Sequence, residues 1–221
     1  MNEQHIKYPR TFHLPYSPCM TADDKRLESD EIFVGKDVVA TIKMDGENTT
    51  VYKSGFLHAR SIDGNKSPWQ DWLKRYVRQW SYMIPDGWRV CGENLYPRHS
   101  IEYTFPDEKH YFQAFGAYDS WNVCKAWKDV KQLAEQLGIM TVPEIYAGKY
   151  DNKKILEAFV HYANQQMVNG QEVEGFVVRT AGDFKYEDFC VNVGKYVRAH
   201  HVQTDEHWTR NWKPNTLSWQ Y

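Results

Sequence analysis

The sequence predicts an α+β fold built on antiparallel sheets, and three observations carry that expectation. Stretches rich in β-branched and aromatic residues occur at 37–44, 47–53, 88–96, 110–118 and 173–180. Three segments between them repeat apolar residues at helical spacing. The order is strands, helix, strands, two helices, strands, without the strand–helix alternation of a parallel sheet.

The first pair of strands is "DVVATIKM" (37–44) and "ENTTVYK" (47–53), joined through Asp45-Gly46. "KSGF" makes a second turn, and "LHARS" a third short strand. A helix is expected over 67–83, with Ser67 as cap and Pro68 in the first turn. Trp69, Trp72, Leu73, Tyr76, Val77 and Trp80 form its apolar face; Lys74, Arg75 and Arg78 form a basic one. "PDG" ends that unit and "WRVCGENLY" resumes strand character. "HYFQAFGAY" (110–118) reads as a strand. Two helices are expected next, one from Val123 to Leu137 stopping at Gly138, the other from about Asp151 to Gln165. Strands return at "VEGFVVRT" and "DFCVNVGKYVRAHHV".

Composition narrows the function classes. At 221 residues with 42% hydrophobic content, the chain fits one large domain with at most a small appendage. There is no apolar run of membrane-spanning length and no apolar signal-peptide core, so the expectation is a cytoplasmic protein with no membrane partner. Cys19, Cys91, Cys124 and Cys190 form no CxxC pair, which points to buried free thiols rather than a disulfide framework or zinc site. A net charge of −2 excludes a global polycation, yet a phosphate-binding groove needs only local positive charge.

Four stretches could carry chemistry. In "TIKMDGENTTVY", Lys43 follows an apolar run, where an ammonium is costly unless its pKa falls. A lysine kept neutral by burial or by neighbouring cations is a nucleophile. Alone, K-x-D-G is weak and equally describes a surface lysine beside a hairpin turn. "VEGFVVR" offers Glu174 as a metal or base carboxylate and Arg179 as a phosphate clamp; it also reads as a strand with polar ends. "CGENLY" sets Glu93 and Asn94 among apolar residues, where a carboxylate needs a partner. "VGKYVRAHH" places Lys195 and Arg198 on or after a late strand.

Taken in this order, the four resemble the covalent nucleotidyltransferases, and "IKMDGENTT", "HARS", "GENLY", "YFQAFGAYD", "EGFVVR" and "KYVRAHHVQT" look most like RNA ligases. The resemblance covers about residues 35–205. It implies two twisted antiparallel sheets with flanking helices and a nucleotide cleft between them. It divides the chain into a nucleotidyltransferase domain (1–205) and a Trp-rich tail (206–221) too short for an OB-fold. Lys43 would attack the α-phosphorus of ATP and hold AMP as a phosphoramide. That AMP would pass to an RNA 5′-phosphate, and an RNA 3′-hydroxyl would displace it.

The resemblance also assigns a supporting set. Lys43, Lys195 and Glu174 would be catalytic, with Glu174 on Mg2+ or Mn2+. Arg60, Arg179 and Lys195 would hold phosphate, Glu93 the ribose, and Phe112 would stack on adenine. Ile42, Asp45 and Asn48 would adjoin the nucleotide. Two departures stand out: Val193 and Val197 flank Lys195 where the family has a second lysine, and Gly116 follows Phe115 where Phe-Asp is common. RNA contacts are expected from Lys74, Arg75 and Arg78, and from the tail, where Trp208, Trp212 and Trp219 alternate with Arg210 and Lys213. An end-healing kinase or phosphatase is a partner this resemblance allows. Competing readings are a minimal DNA ligase, a capping-type guanylyltransferase, and a non-catalytic nucleic-acid end-binding module.

Overall fold

The computed structural model of the chain describes residues 3–20, 24–62, 67–168, 170–199 and 212–220. In chain order the strands begin with β1 (Phe12–His13), β2 (Asp37–Lys43), β3 (Glu47–Tyr52), β4 (Leu57–His58), β5 (Arg89–Asn94), β6 (Thr104–Phe105) and β7 (Phe112–Tyr118). They continue with β8 (Val123–Cys124), β9 (Met140–Thr141), β10 (Glu144–Lys149), β11 (Gly175–Thr180), β12 (Phe184–Lys185), β13 (Val193–Val197) and β14 (Thr216–Leu217). The helices are α1 (Gln70–Val77), α2 (Trp127–Leu137) and α3 (Asn152–Val168). The fold is α+β.

Two largely antiparallel sheets make up the body. One has the order β1-β13-β11-β2-β10, the other β12-β8-β7-β5-β3-β4 with β9 on the side of β7. β2 explains why a near-continuous apolar run forms a strand here. Flanked by β11 and β10, it buries every residue from Val38 to Ile42. Only its ends, Asp37 and Lys43, reach solvent. α2 packs on β7 and β9 through Val130, Leu133, Ala134 and Leu137, and α3 packs on β10. Among the described residues no helix is long and apolar enough to cross a membrane.

Three elements differ from the sequence expectation, each for a packing reason. The helix expected over 67–83 is α1 plus a separate 3-10 turn at Ser81–Met83. Ser67 makes no side-chain cap; the entry is a backbone turn from Gln70 N–H to Ser67 C=O. Breaking after Val77 still lets Trp80 bury its ring against Phe112, at 5.6 Å between centroids. The helix expected from Val123 starts instead at Trp127, because Val123 and Cys124 pair with β12 as a short strand. Of the long strand expected over 188–202, only β13 forms; Tyr186–Val191 is a 3-10 turn, and 200–202 lie outside the described residues.

The end of the chain packs on the body. Asn215, 1% exposed, accepts at Oδ1 from Tyr103 N–H and donates from Nδ2 to Leu95 C=O, both at 2.8 Å. Its own carbonyl accepts from the Tyr111 hydroxyl at 2.7 Å, and β14 then runs parallel beside β6. The Trp212 ring lies against Trp69 and Tyr96. Trp219 is exposed, and Trp208 and Arg210 lie outside the described residues. Removing the Asn215 amide strands two buried backbone groups. Asn215→Ala is therefore expected to lower the unfolding free energy by roughly 2–4 kcal/mol, read by urea denaturation. A loss below about 0.5 kcal/mol would mean that the end of the chain does not dock this way in solution.

Candidate active site

The chain passes from one sheet to the other at residues 44–46, and that crossing builds the site. A cleft of about 750 Å³ opens between the sheets. Thr41, Ile42, Lys43, Val177, Arg179 and Lys195 line it from the first sheet. Glu47, Asn48, Glu93, Phe115, Gly116 and Cys124 line it from the second. Gly46 makes the crossing possible, since a Cβ there would fall 2.5 Å from Asn94 O. Gly175 has a like constraint: its Cβ would sit 1.9 Å from Tyr196 O. These contacts are the physical content of the Asp-Gly and Glu-Gly pairs.

Register brings the central pair together. Lys43 is opposite Gly175 across β2 and β11, so the residue before that glycine, Glu174, lies beside the lysine. Lys43 Nζ donates to Glu174 Oε2 at 2.6 Å. Glu93 and Asp45 are close enough to act on the same charge. Burial pulls the Lys43 pKa down, but Glu174, Glu93 and Asp45 push it up further, and the net position is above the usual lysine value. The expectation of a neutral, depressed lysine is therefore corrected: with this carboxylate set the resting side chain is an ammonium. Burial raises the Glu174 carboxyl against the pull of Lys43. Burial likewise pushes Glu93 up to about 8, with Lys43 opposing and Glu174 and Asp45 assisting. Glu93 Oε1 accepts from Gly46 N–H at 3.2 Å, which ties the crossing to the second sheet.

The other expected residues fall in different places. Asn48 lines the cleft, and its Oδ1 is a buried acceptor with no partner among the described residues. Arg60, exposed after β4, and Lys195, on β13, both face the cleft. Ile42 forms part of the wall and is itself buried. Asp45 does not face the open space: its Oδ2 accepts from Ser100 and Ile101 N–H, each at 2.8 Å, so it anchors the loop that carries His99 into the cleft.

Phe112 lies elsewhere than expected, and Arg179 lies at the far end of the cleft. Arg179 is four residues along β11 from Gly175, roughly 13 Å from the Lys43 level. Its guanidinium donates to Thr180 and Lys125 carbonyls and rests over Phe184, at the apolar end of the cleft it lines. Phe112 is fully buried against Trp80 and does not reach the cleft. Phe115 does. The pairing of β5 with β7 skips it: Gly92 pairs with Ala114 and Cys91 with Gly116. That bulge leaves Phe115 unpaired and aims it at the cleft.

Sequence reasoning missed the N-terminal segment. Glu3 accepts from Ser54 and His5 stacks on Phe56 at one wall; Leu14 N–H donates to Lys195 C=O at the other. Between them Tyr8, Pro9, Arg10 and Thr11 line the cleft, and the Tyr8 ring sits edge-on to Phe115 at 5.1 Å and to Phe189 at 5.3 Å. Burial holds the Tyr8 hydroxyl well above its usual pKa. Asp24, Glu47 and His99 were missed as well. Glu47 follows directly on the crossing, within the Lys43 stretch, whereas only long-range pairing brings Asp24 and His99 here.

Comparison with known proteins gives a consistent picture. The RNA ligase family model matches residues 36–197. An archaeal ATP-dependent RNA ligase is similar in structure with a TM-score of 0.55 at 18% identity, over 87% of this chain and 48% of that one. An RNA ligase of Naegleria gruberi, a mutant with ATP and Mn, gives a TM-score of 0.51 at 14% identity, over 78% of this chain and 52% of that one. The chain thus spans about half the length of these solved structures, and the likeness speaks for the fold alone. No curated protein matches the sequence.

Two predictions follow from the site geometry. Glu93 has a raised pKa in the fold, so its stabilising protonated form is lost as pH climbs from the ordinary carboxylate range through about 8. Glu93→Gln should match the wild-type melting temperature near pH 4 and exceed it by a margin that grows up to about pH 8 and then levels. A margin independent of pH would show that Glu93 titrates normally. The two phenylalanines should also separate: Phe112→Ala should cost about 3–5 kcal/mol of stability. Phe115→Ala, at a half-buried ring in the cleft wall, should cost clearly less stability than Phe112→Ala, both read by urea denaturation.

Proposed function

We propose that this chain, which belongs to the RNA ligase family, is an ATP-dependent ligase that joins RNA 3′-hydroxyl and 5′-phosphate ends through a lysyl-AMP intermediate. The observation that carries this reading is the Lys43–Glu174 pair, 2.6 Å apart at the floor of a cleft walled by two sheets. A lysine ending a buried strand has a fixed origin, so its amine meets a bound phosphorus from one direction.

ATP suits the lining. The unpartnered Asn48 Oδ1 and the Glu93 carboxyl are acceptors for ribose hydroxyls, and Phe115 and Val177 supply an apolar end for the base. Arg60 and Lys195 supply positive charge for the phosphates. Among the described residues no group of three or more His, Cys, Asp or Glu forms a closed metal site. A single buried carboxylate, Glu174, fits Mg2+ or Mn2+ that keeps water and phosphate oxygens as its other ligands. Such an ion, when bound, would neutralise charge building on the α-phosphate.

Lys43 can attack only as the free amine. Glu174 holds the ammonium in the resting site; once its carboxylate is engaged elsewhere, a main cause of the raised lysine pKa is gone and the proton passes to water at the exposed part of the side chain. The Nζ–P bond then forms as the bond to pyrophosphate breaks. An RNA 5′-phosphate oxygen next takes the AMP, breaking the P–N bond and returning Lys43. The 3′-hydroxyl of a second end finally displaces AMP to give the phosphodiester. Arg75 and Arg78, exposed on α1 and just after it, are proposed to guide the RNA, with Lys74 beside them.

The test is covalent labelling. Incubation with ATP or GTP radiolabelled at the α-phosphate, followed by a denaturing gel, should mark the protein with ATP and Mg2+ only. Lys43→Ala should remove the label, and Lys43→Arg too, because a guanidinium stays protonated. Wild type should then seal RNA ends. Labelling by GTP would favour a capping-type enzyme, sealing of DNA alone a minimal DNA ligase, and no label an end-binding module.

A further inference from the structure

Lys195 is not left to find its own place. Its ammonium donates to Asp24 Oδ1 at 2.8 Å, and the same carboxylate oxygen lies 3.3 Å from His13 Nε2. The other ring nitrogen, Nδ1, is 2.8 Å from Ser17 Oγ. Ser17 Oγ accepts from Val197 N–H at 3.0 Å, so the chain of contacts leaves β13 at Lys195 and returns to it two residues later. His13 and Ser17 are buried, at 1% and 2% exposure.

The backbone reinforces the same ring. His13 is opposite Lys195 in the parallel β1–β13 pair, and Leu14 N–H donates to Lys195 C=O at 2.8 Å. On its other edge, His13 N–H donates to Lys25 C=O at 2.7 Å and its carbonyl accepts from Leu27 N–H at 2.8 Å. One residue therefore fixes both the strand that carries Lys195 and the segment that carries Asp24. Burial and the Lys195 charge hold the His13 imidazole below its usual pKa, so it is neutral. Nε2 stays in close polar contact with Asp24 without hydrogen-bond geometry, and Ser17 Oγ is shared between Nδ1 and the Val197 carbonyl.

We infer that Asp24, locked by His13 and Ser17, is the positioning residue for Lys195, aiming its ammonium into the cleft at the point where phosphate binds. A lysine has three donors and a flexible four-carbon stem. Held through one donor by Asp24, it turns the others toward the cleft in a restricted set of rotamers. The companion positions on β13, Val193 and Val197, carry no charge, so this strand brings a single cation to the cleft. The expected rate effect rests on the proposed adenylyl transfer; the expected Lys195 geometry does not.

Asp24→Ala and Asp24→Asn test it in the full chain, with two readouts. Asp24→Ala should slow single-turnover Lys43 labelling at saturating ATP by about tenfold or more, as loss of an outer-shell partner does. The half-saturating ATP concentration should move by less than about twofold. Asp24→Asn keeps an acceptor oxygen and should recover most of the rate. Independently of activity, Lys195 should react faster with an amine-acylating reagent in Asp24→Ala, read by peptide mass spectrometry, with other lysines unchanged. Wild-type rate and wild-type Lys195 reactivity would overturn the inference. So would rate and melting temperature falling together in both variants, which would mark a structural role. If the wild type takes no AMP, the functional reading fails, and Lys195 reactivity alone decides: unchanged reactivity overturns the positioning role.

Discussion

The structure depends on keeping one ammonium charged at the inner end of a buried strand. Lys43 keeps only part of its side chain, 27%, in water, and burying the rest is unfavourable unless opposite charge is built around it. The fold meets that requirement with residues from three separate strands or strand ends. Glu174 arrives through the β2–β11 register, Glu93 through β5, and Asp45 from the crossing itself. Each is buried or tethered, so the charge set is preorganised rather than gathered when a ligand arrives. The arrangement over-supplies negative charge, which leaves two carboxyls with raised pKa values and one lysine held protonated.

The cleft has two ends of different character, and the sheets make that difference. Toward Lys43 the walls are polar and charged; toward Phe115 they merge with a small second cluster of Cys91, Tyr118, Cys124, Phe184, Phe189 and Val193. Arg179 is drawn into this apolar end because its guanidinium finds carbonyls and aromatic faces there. The N-terminal segment crosses between the walls and is pinned at both sides. It therefore closes part of the site and delivers His13 to the strand that bears Lys195.

Much of this was legible in the sequence. The order of strands and helices along the chain follows from apolar patterning and turn residues, and Lys43, Glu93, Glu174 and Lys195 stand out through the motif order of the family the sequence resembles. The errors came where a local pattern is ambiguous by one residue or one charge. Phe112 and Phe115 lie on one strand at a spacing of three, so a period of two sends them to opposite faces; the bulge beside Gly92 completes the choice. The lysine pKa was misjudged because the sign depends on which charges surround the amine. Neighbouring cations were expected, and carboxylates were found.

The sequence by itself determined the chemistry at hand: a lysine before Asp-Gly, carboxylates at fixed distances along the chain, and strands on which to mount them. Such information is local, since apolar periodicity and turn residues act over a few positions. The tertiary structure alone decided which groups share a charge environment, which phenylalanine reaches the cleft, and which distant segment supplies Asp24, His13 and Tyr8. Those depend on strand register, and register is fixed by core packing between residues more than a hundred positions apart. The Lys43–Glu174 contact spans 131 positions and the Lys195–Asp24 contact 171. No window on the sequence contains both partners, so only the folded sheet can pair them.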